Sequence, residues 1–518
     1  MNARFIVRVR VVTALCVVAA LVIVGKLYFL QIMHGEEYAR LADAQSVELK
    51  NPLLNRGTIY FSAKDGTLLT AATLRDISAP SKAEATSSPK TGLSDHQRYY
   101  PGGSLAAQTL GFVAYNNDDE QKGRYGLERY YEQTLARGGA GTYSNFFVEL
   151  FSELGSKEAA GGGQGDIITT IEPSVQSELE RTLAAYAASW SPALAGGIIM
   201  DPSNGEIVAM AVSPAFDLNK FNEQTGTGIF KNPLPESVYE MGSIIKPLTI
   251  AAGLDSGTIT EASTYNDTGC ITLEQKKICN FDLRARGTIP MQEILSQSLN
   301  VGSAYVATKM GPDIFREYFL NRYKLGTETG IDLPGEIRGL VANLSSPRQV
   351  EYATAAFGQG IASTPVETVR ALSALGNGGL LVAPHLVRAV KYDTGITRTL
   401  SWGSPQQILK PETSTAISRM LTKVVDTTLA DGKLKMERYS IAAKTGTAQI
   451  ANPAGGGYYE DRYLHSFFGY FPSFAPRFVV FLFAVEPTGA SFSSQTWAMP
   501  FGGLVKFLIN YYNIPPDR

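Results

Sequence analysis

The 518-residue chain is 44% hydrophobic and 18% charged, with a formal net charge of -2. That composition is globular, and the length suits two or three domains. The near-neutral charge lacks the basic excess that nucleic-acid binding requires, so nucleic acid is not an expected partner.

Arg4, Arg8 and Arg10 precede an apolar run from Val11 to Gly25, and apolarity resumes after Lys26 as far as Met33. Roughly 20 mostly apolar residues cross a bilayer, so 11–33 reads as a single membrane anchor with Lys26 snorkelling to the headgroups. The arginines would hold residues 1–10 in the cytoplasm and send the remainder outside. A cleaved signal peptide is the alternative, but no small-residue cleavage site follows and the apolar pattern continues.

Residues 34–164 read as a small N-terminal region. "GEEYARLADAQSVELK" suits a helix leaving the membrane, and "NRGTIYFSAKDGTLLTA" a hairpin around Lys64-Asp65-Gly66. "SAPSKAEATSSPKTGLSD" has loop composition. It contains a Lys-Thr-Gly, Lys90 to Gly92, overlapped by Ser87-x-x-Lys90, with nothing to bury a lysine. The glycine-rich "GSKEAAGGGQGD", Gly155 to Asp166, marks the domain boundary.

Residues 165–518 open with a strand, a Pro173-initiated turn and an amphipathic helix. Two strands around "DPSNG" follow, then helical patterns at 243–257, 290–310, 364–376 and 411–425. Strands return in "YSIAAKTGTAQI", "HSFFGYFPSF" and "RFVVFLFAVEP" before a last helix near 499–512. A hairpin, a helical block and more strands imply an α+β fold, one antiparallel sheet with helices packed on it. Cys270 and Cys279 flank the polar "EQKK"; a disulfide and two separate thiols both fit.

Three short motifs carry the chemistry. In "YEMGSIIKPLTI", Ser243 and Lys246 stand three apart where a helix begins, so the amine is placed to reach the hydroxyl. Such a serine becomes a nucleophile only if a base takes its proton, and a lysine does so only if burial or a second cation lowers its pKa. Ser298 and Asn300 form the chain's Ser-x-Asn, a hydroxyl and an amide on one segment. In the second Lys-Thr-Gly, strand alternation sends Lys444 and Gly446 to one face and Thr445 and Thr447 to the other. Gly446 is expected to keep its face open to a peptide pairing along the strand, with a backbone N–H towards the developing oxyanion.

The ordered triplet resembles that of penicillin-binding proteins and serine β-lactamases. Beyond it, "NRGTIY", "RYYPGGSLAAQTLGFV", "GLERYYEQTLAR", "MDPSNGEIVAM" and "FGQGIASTP" are similar, in the same order, to segments of class B penicillin-binding proteins. These are membrane-anchored peptidoglycan D,D-transpeptidases with a pedestal domain before the catalytic one. The resemblance implies that Ser243 is acylated by a stem peptide ending in D-Ala-D-Ala, or by a β-lactam, and that an amine of a neighbouring peptide then attacks the ester. It makes Lys246 the base, Ser298 the proton relay, Asn300 the donor for the substrate's amide carbonyl and Lys444 the electropositive partner. Thr445, Gly446 and Thr447 would bind substrate, with the N–H groups of Ser243 and Thr447 as oxyanion hole. No metal or organic cofactor is implied. Met241 and Ala443 stand where the family commonly has proline and glycine, and the stretch between Tyr60 and Arg98 is shorter, which implies a reduced pedestal.

A Ser-His-Asp hydrolase is disfavoured by the absence of Gly-x-Ser-x-Gly and by scattered histidines, of which His465 reads as structural. A carboxypeptidase or β-lactamase would use the same motifs with water as acceptor, and a scaffold that activates a membrane polymerase is the remaining alternative. The resemblance makes the anchor a candidate to pack against a SEDS-family glycan polymerase, and the compact length leans towards a septal role.

Overall fold

The structure, a computed structural model, describes residues 56–76, 96–115, 121–136, 163–452 and 456–518. The expected cytoplasmic tail, the anchor at 11–33, the helix after it and the Lys90 copy of Lys-Thr-Gly lie outside the described residues. Among the described residues, no helix is long and apolar enough to cross a membrane.

A five-stranded antiparallel sheet forms the centre, in the order Ala442–Ala451, Tyr458–Phe471, Phe478–Val485, Leu194–Met200, Ile207–Ser213. It joins the hairpin at the start of the catalytic region to the strands at its end, as the sequence implies. Phe478–Val485 reads FVVFLFAV and is buried to its penultimate residue, because both faces of the sheet are covered. Adjacent residues on the neighbouring strand reveal the two layers. A side chain at Gly469 would meet Phe501 of the helix Ser493–Tyr512, whereas the Tyr470 hydroxyl bonds Ser418 of the helix Pro411–Thr427, 2.8 Å away.

The helix Pro173–Trp190 starts with proline in its first turn, and the Glu172 carboxylate accepts the Val175 N–H at 2.7 Å. It packs against the C-terminal helix through stacked Tyr186 and Trp497, 3.7 Å between centroids.

A second, six-stranded sheet runs Thr397–Thr399, Val387–Tyr392, Gly165–Thr169, Ile59–Ser62, Leu68–Asp76, His96–Tyr99. The expected hairpin around Lys64-Asp65-Gly66 is present, and Gly66 takes the left-handed conformation its turn requires, with φ of 85°. This sheet draws strands from both sides of residue 165, so the expected division there separates the chain by sequence but not by sheet. Beneath it the buried Glu128 carboxylate accepts from Arg56 Nε at 2.8 Å and Arg98 Nε at 2.6 Å. Burial pushes the Glu128 pKa up, but the two guanidiniums outweigh it and hold the carboxyl below its usual value.

Cys270 and Cys279 are joined by a disulfide, directly opposite each other in the hairpin Cys270–Leu273 and Lys276–Cys279.

Candidate active site

The three motifs meet in one cleft of about 1140 Å³, lined by Ser243, Ser298, Asn300, Lys444, Thr445 and Thr447. Ser243 lies in a single 3-10 turn, Gly242–Ile245, which runs into the α-helix Lys246–Asp255. Gly242 has φ of 63°, a backbone conformation that bends the chain sharply into that turn. Its N–H donates to the Gly358 carbonyl at 3.2 Å, while the Met241 carbonyl accepts from Ser466 Oγ at 2.9 Å.

Lys246 is fully buried and Lys444 nearly so. Their amines converge on one residue: Lys246 Nζ donates to Ser298 O at 2.5 Å and Ser298 Oγ at 3.2 Å, and Lys444 Nζ donates to the same Oγ at 3.0 Å. Ser298 can offer both oxygens because it sits, left-handed with φ of 56°, in the break between the helices Gln292–Ser296 and Asn300–Arg316. Burial brings Lys444 down to about 7. Burial and, second, the Lys444 charge hold Lys246 well below the usual lysine range. Lys444 is the second cation that a base at Lys246 requires, and both effects favour the neutral amine, the form able to accept a proton.

One expected contact differs. The helical spacing points Lys246 at the Ser243 hydroxyl, but Ser298 O and Oγ take the amine; among the described residues no hydrogen bond joins Lys246 to Ser243.

Gly446 is corrected as well. Alternation holds, with Lys444 and Gly446 buried and Thr445 and Thr447 part-exposed in the cleft. Yet the face of Gly446 is closed: a Cβ there would lie 2.3 Å from Ser466 Oγ and 2.7 Å from Met241 O. Its missing side chain lets the backbone before the Gly242–Ile245 turn press against the sheet and does not leave room for a peptide. Ala443 behaves similarly in reverse, since its methyl is accommodated by Gly469, its partner in register.

Asn300 Nδ2 donates to Cys279 O at 2.9 Å, and Thr447 Oγ1 accepts the Ser493 N–H at 3.0 Å. His465 is buried away from the cleft lining, with Nδ1 3.1 Å from Thr496 Oγ1, and burial lowers its pKa to about 4. Ser466, which the motifs do not signal, lies directly opposite Gly446 on the next strand. Only the register of that pairing could have revealed it.

Residues 195–500 match the family described as penicillin binding protein transpeptidase domain. The chain is 30% identical over 425 residues to stage V sporulation protein D of Bacillus subtilis, covering 79% of this chain and 63% of that protein. It is 30% identical over 423 residues to a probable peptidoglycan D,D-transpeptidase FtsI of Caulobacter vibrioides, covering 79% and 65%. It therefore spans slightly less than two thirds of the length of these relatives. Penicillin binding protein 3 of Mycobacterium tuberculosis superposes with a TM-score of 0.75 at 23% identity, over 90% of this chain and 97% of that one, which places the fold.

Proposed function

This chain belongs to the penicillin-binding protein transpeptidase family, and from that premise we propose that it is a peptidoglycan D,D-transpeptidase working through an acyl-serine at Ser243. The observation that carries the reading is the convergence of two buried, pKa-depressed lysines on Ser298 beside the turn that holds Ser243. In the first half-reaction Ser243 Oγ attacks the carbonyl of the penultimate D-Ala. Its proton passes to Lys246, and the C–N bond breaks as the terminal D-Ala amine takes a proton through Ser298. The N–H groups of Ser243 and Thr447 steady the oxyanion. In the second, an amine of a neighbouring stem peptide attacks the ester and the proton returns to Ser243. Asn300 holds the donor's amide carbonyl, Lys444 keeps the site electropositive, Thr445 and Thr447 bind the substrate carboxylate, and Gly446 serves by packing. A β-lactam would be trapped at the first half.

The proposal includes the single anchor at 11–33, residues 1–10 in the cytoplasm, a reduced pedestal over 34–164 and an extracytoplasmic catalytic region over 165–518. A septal role and a SEDS-family polymerase beside the anchor complete it. The test is fluorescent-penicillin labelling of the solubilised full chain, with the adduct located by mass spectrometry in wild type, Ser243→Ala and Ser87→Ala. Label at Ser243 alone, with an amine acceptor captured from a D-Ala-D-Ala donor, is the expected result. A folded but unlabelled wild type overturns the reading, and release of donor only to water converts it to a hydrolase.

A further inference from the structure

A polar cluster at the edge of the cleft, with Asn280 and Asp267 behind its lining, pins both flanks of the Ser298-x-Asn300 segment. Asn280 is almost wholly buried and is gripped by the equally buried Asp267, whose carboxylate oxygens accept from its Nδ2 at 2.9 and 3.1 Å. That grip orients the amide, so its Oδ1 accepts the Val301 N–H at 3.1 Å, in the first turn of the helix that Asn300 begins. On the other flank, Arg286 Nε donates to Gln297 Oε1 at 2.5 Å while its Nη1 lies 3.5 Å from Asp267 Oδ2. The residue before Asn280, Cys279, is fixed by its disulfide and supplies the carbonyl that takes Asn300 Nδ2. The backbone of Asn280 is itself tied down, its N–H donating to Gly269 O at 2.9 Å.

We propose that Asn280, held by Asp267, is a positioning residue for Asn300: it sets the start of the helix and the adjoining carbonyl so that the Asn300 amide faces the cleft in register with Ser243. A buried amide that loses one partner leaves the others unsatisfied, so the cluster behaves as a unit. The inference rests on the acyl-serine reading and on Asn300 meeting the amide carbonyl of the acyl donor.

The experiment compares acylation rates of the full chain with benzylpenicillin, which carries a side-chain amide carbonyl, and 6-aminopenicillanic acid, which lacks it. Asn280→Ala is expected to lower the ratio of the two rates by about tenfold, the size of one lost hydrogen bond to a positioned group. Asn300→Ala lowers the ratio similarly, and the double variant goes no further. Loss of general packing would depress both rates and leave the ratio intact, and that result overturns the proposal, as does an additive double variant. Should Asn280→Ala not fold, Asp267→Asn releases the same grip with nearly the same shape, and an unchanged ratio there is equally fatal. A wild type acylated by neither compound removes the acyl-serine reading itself, whereas a labelled wild type with an unmoved ratio removes only this one.

Discussion

Lys246 and Lys444 donate to one and the same oxygen, Ser298 Oγ, from 3.2 and 3.0 Å. Two buried amines this close cannot both stay charged cheaply, so each charge state depends on the other. The acylation rate should rise with pH as Lys246 loses its proton. Burial, the larger cause of the Lys246 shift, persists in Lys444→Gln, but the repelling like charge is gone and the Lys246 pKa rises part of the way, so the rising limb moves to higher pH. Stopped-flow acylation across a pH series measures this, and a limb that stays put or moves to lower pH contradicts it.

The same depression has a stability consequence. Lys444 titrates at about 7 when folded, against an ordinary lysine value of 10.5. Between those values the unfolded chain binds the proton more tightly, so stability rises as pH rises through that window. Lys444→Met should flatten part of the slope of denaturant midpoint against pH, with Lys246 supplying the remainder.

Gly446→Ala would drive a methyl into Ser466 Oγ and Met241 O, the latter backbone next to the turn that holds Ser243. Overpacking of this kind costs about 1–3 kcal/mol. The expected outcome is a folded protein with lowered Tm and a penicillin acylation rate reduced by about tenfold or more. Full activity in Gly446→Ala would mean that the turn tolerates displacement.

Glu128→Gln leaves buried Arg98 without a carboxylate partner and Arg56 with Glu132 alone. Removing one member of a buried ion cluster costs about 3–5 kcal/mol. Chemical denaturation should register that loss, while penicillin labelling of the fraction still folded stays near wild type, since Arg56, Arg98 and Glu128 do not line the cleft.

Much of this arrangement was legible in the sequence. Ser243, Lys246, Ser298, Asn300 and Lys444 carry spellings that announce a nucleophile, a base and their neighbours. The strands of the hairpin at 194–213 are mostly apolar around their DPSNG turn, and Phe478–Val485 is an uninterrupted apolar run. What escaped depends on register and approach angle. The role of Gly446 is visible only once Ser466 is known to lie opposite it, and the Lys246 amine turns to Ser298, a contact between separate elements that helical spacing does not encode. The Asn280 cluster escaped because its members are scattered from 267 to 297 and spell no motif. The strand Gly165–Thr169 reads as the start of a domain, yet its neighbours in the sheet are Ile59–Ser62 and Val387–Tyr392, and no local pattern encodes such distant pairing.

A hydroxyl oxygen owns two lone pairs and a single hydrogen. At Ser298 the two amines occupy both lone pairs, so its hydrogen is directed away from both lysines. With Ser298 as the proposed proton relay, electron-pair counting gives the site a polarity: a proton it surrenders goes to the reacting groups, and its replacement comes from the lysine side. Two protons must then move together when the leaving amine departs. Acylation in mixtures of light and heavy water should follow a curved dependence on deuterium fraction, and a straight line would mean that Ser298 stands aside.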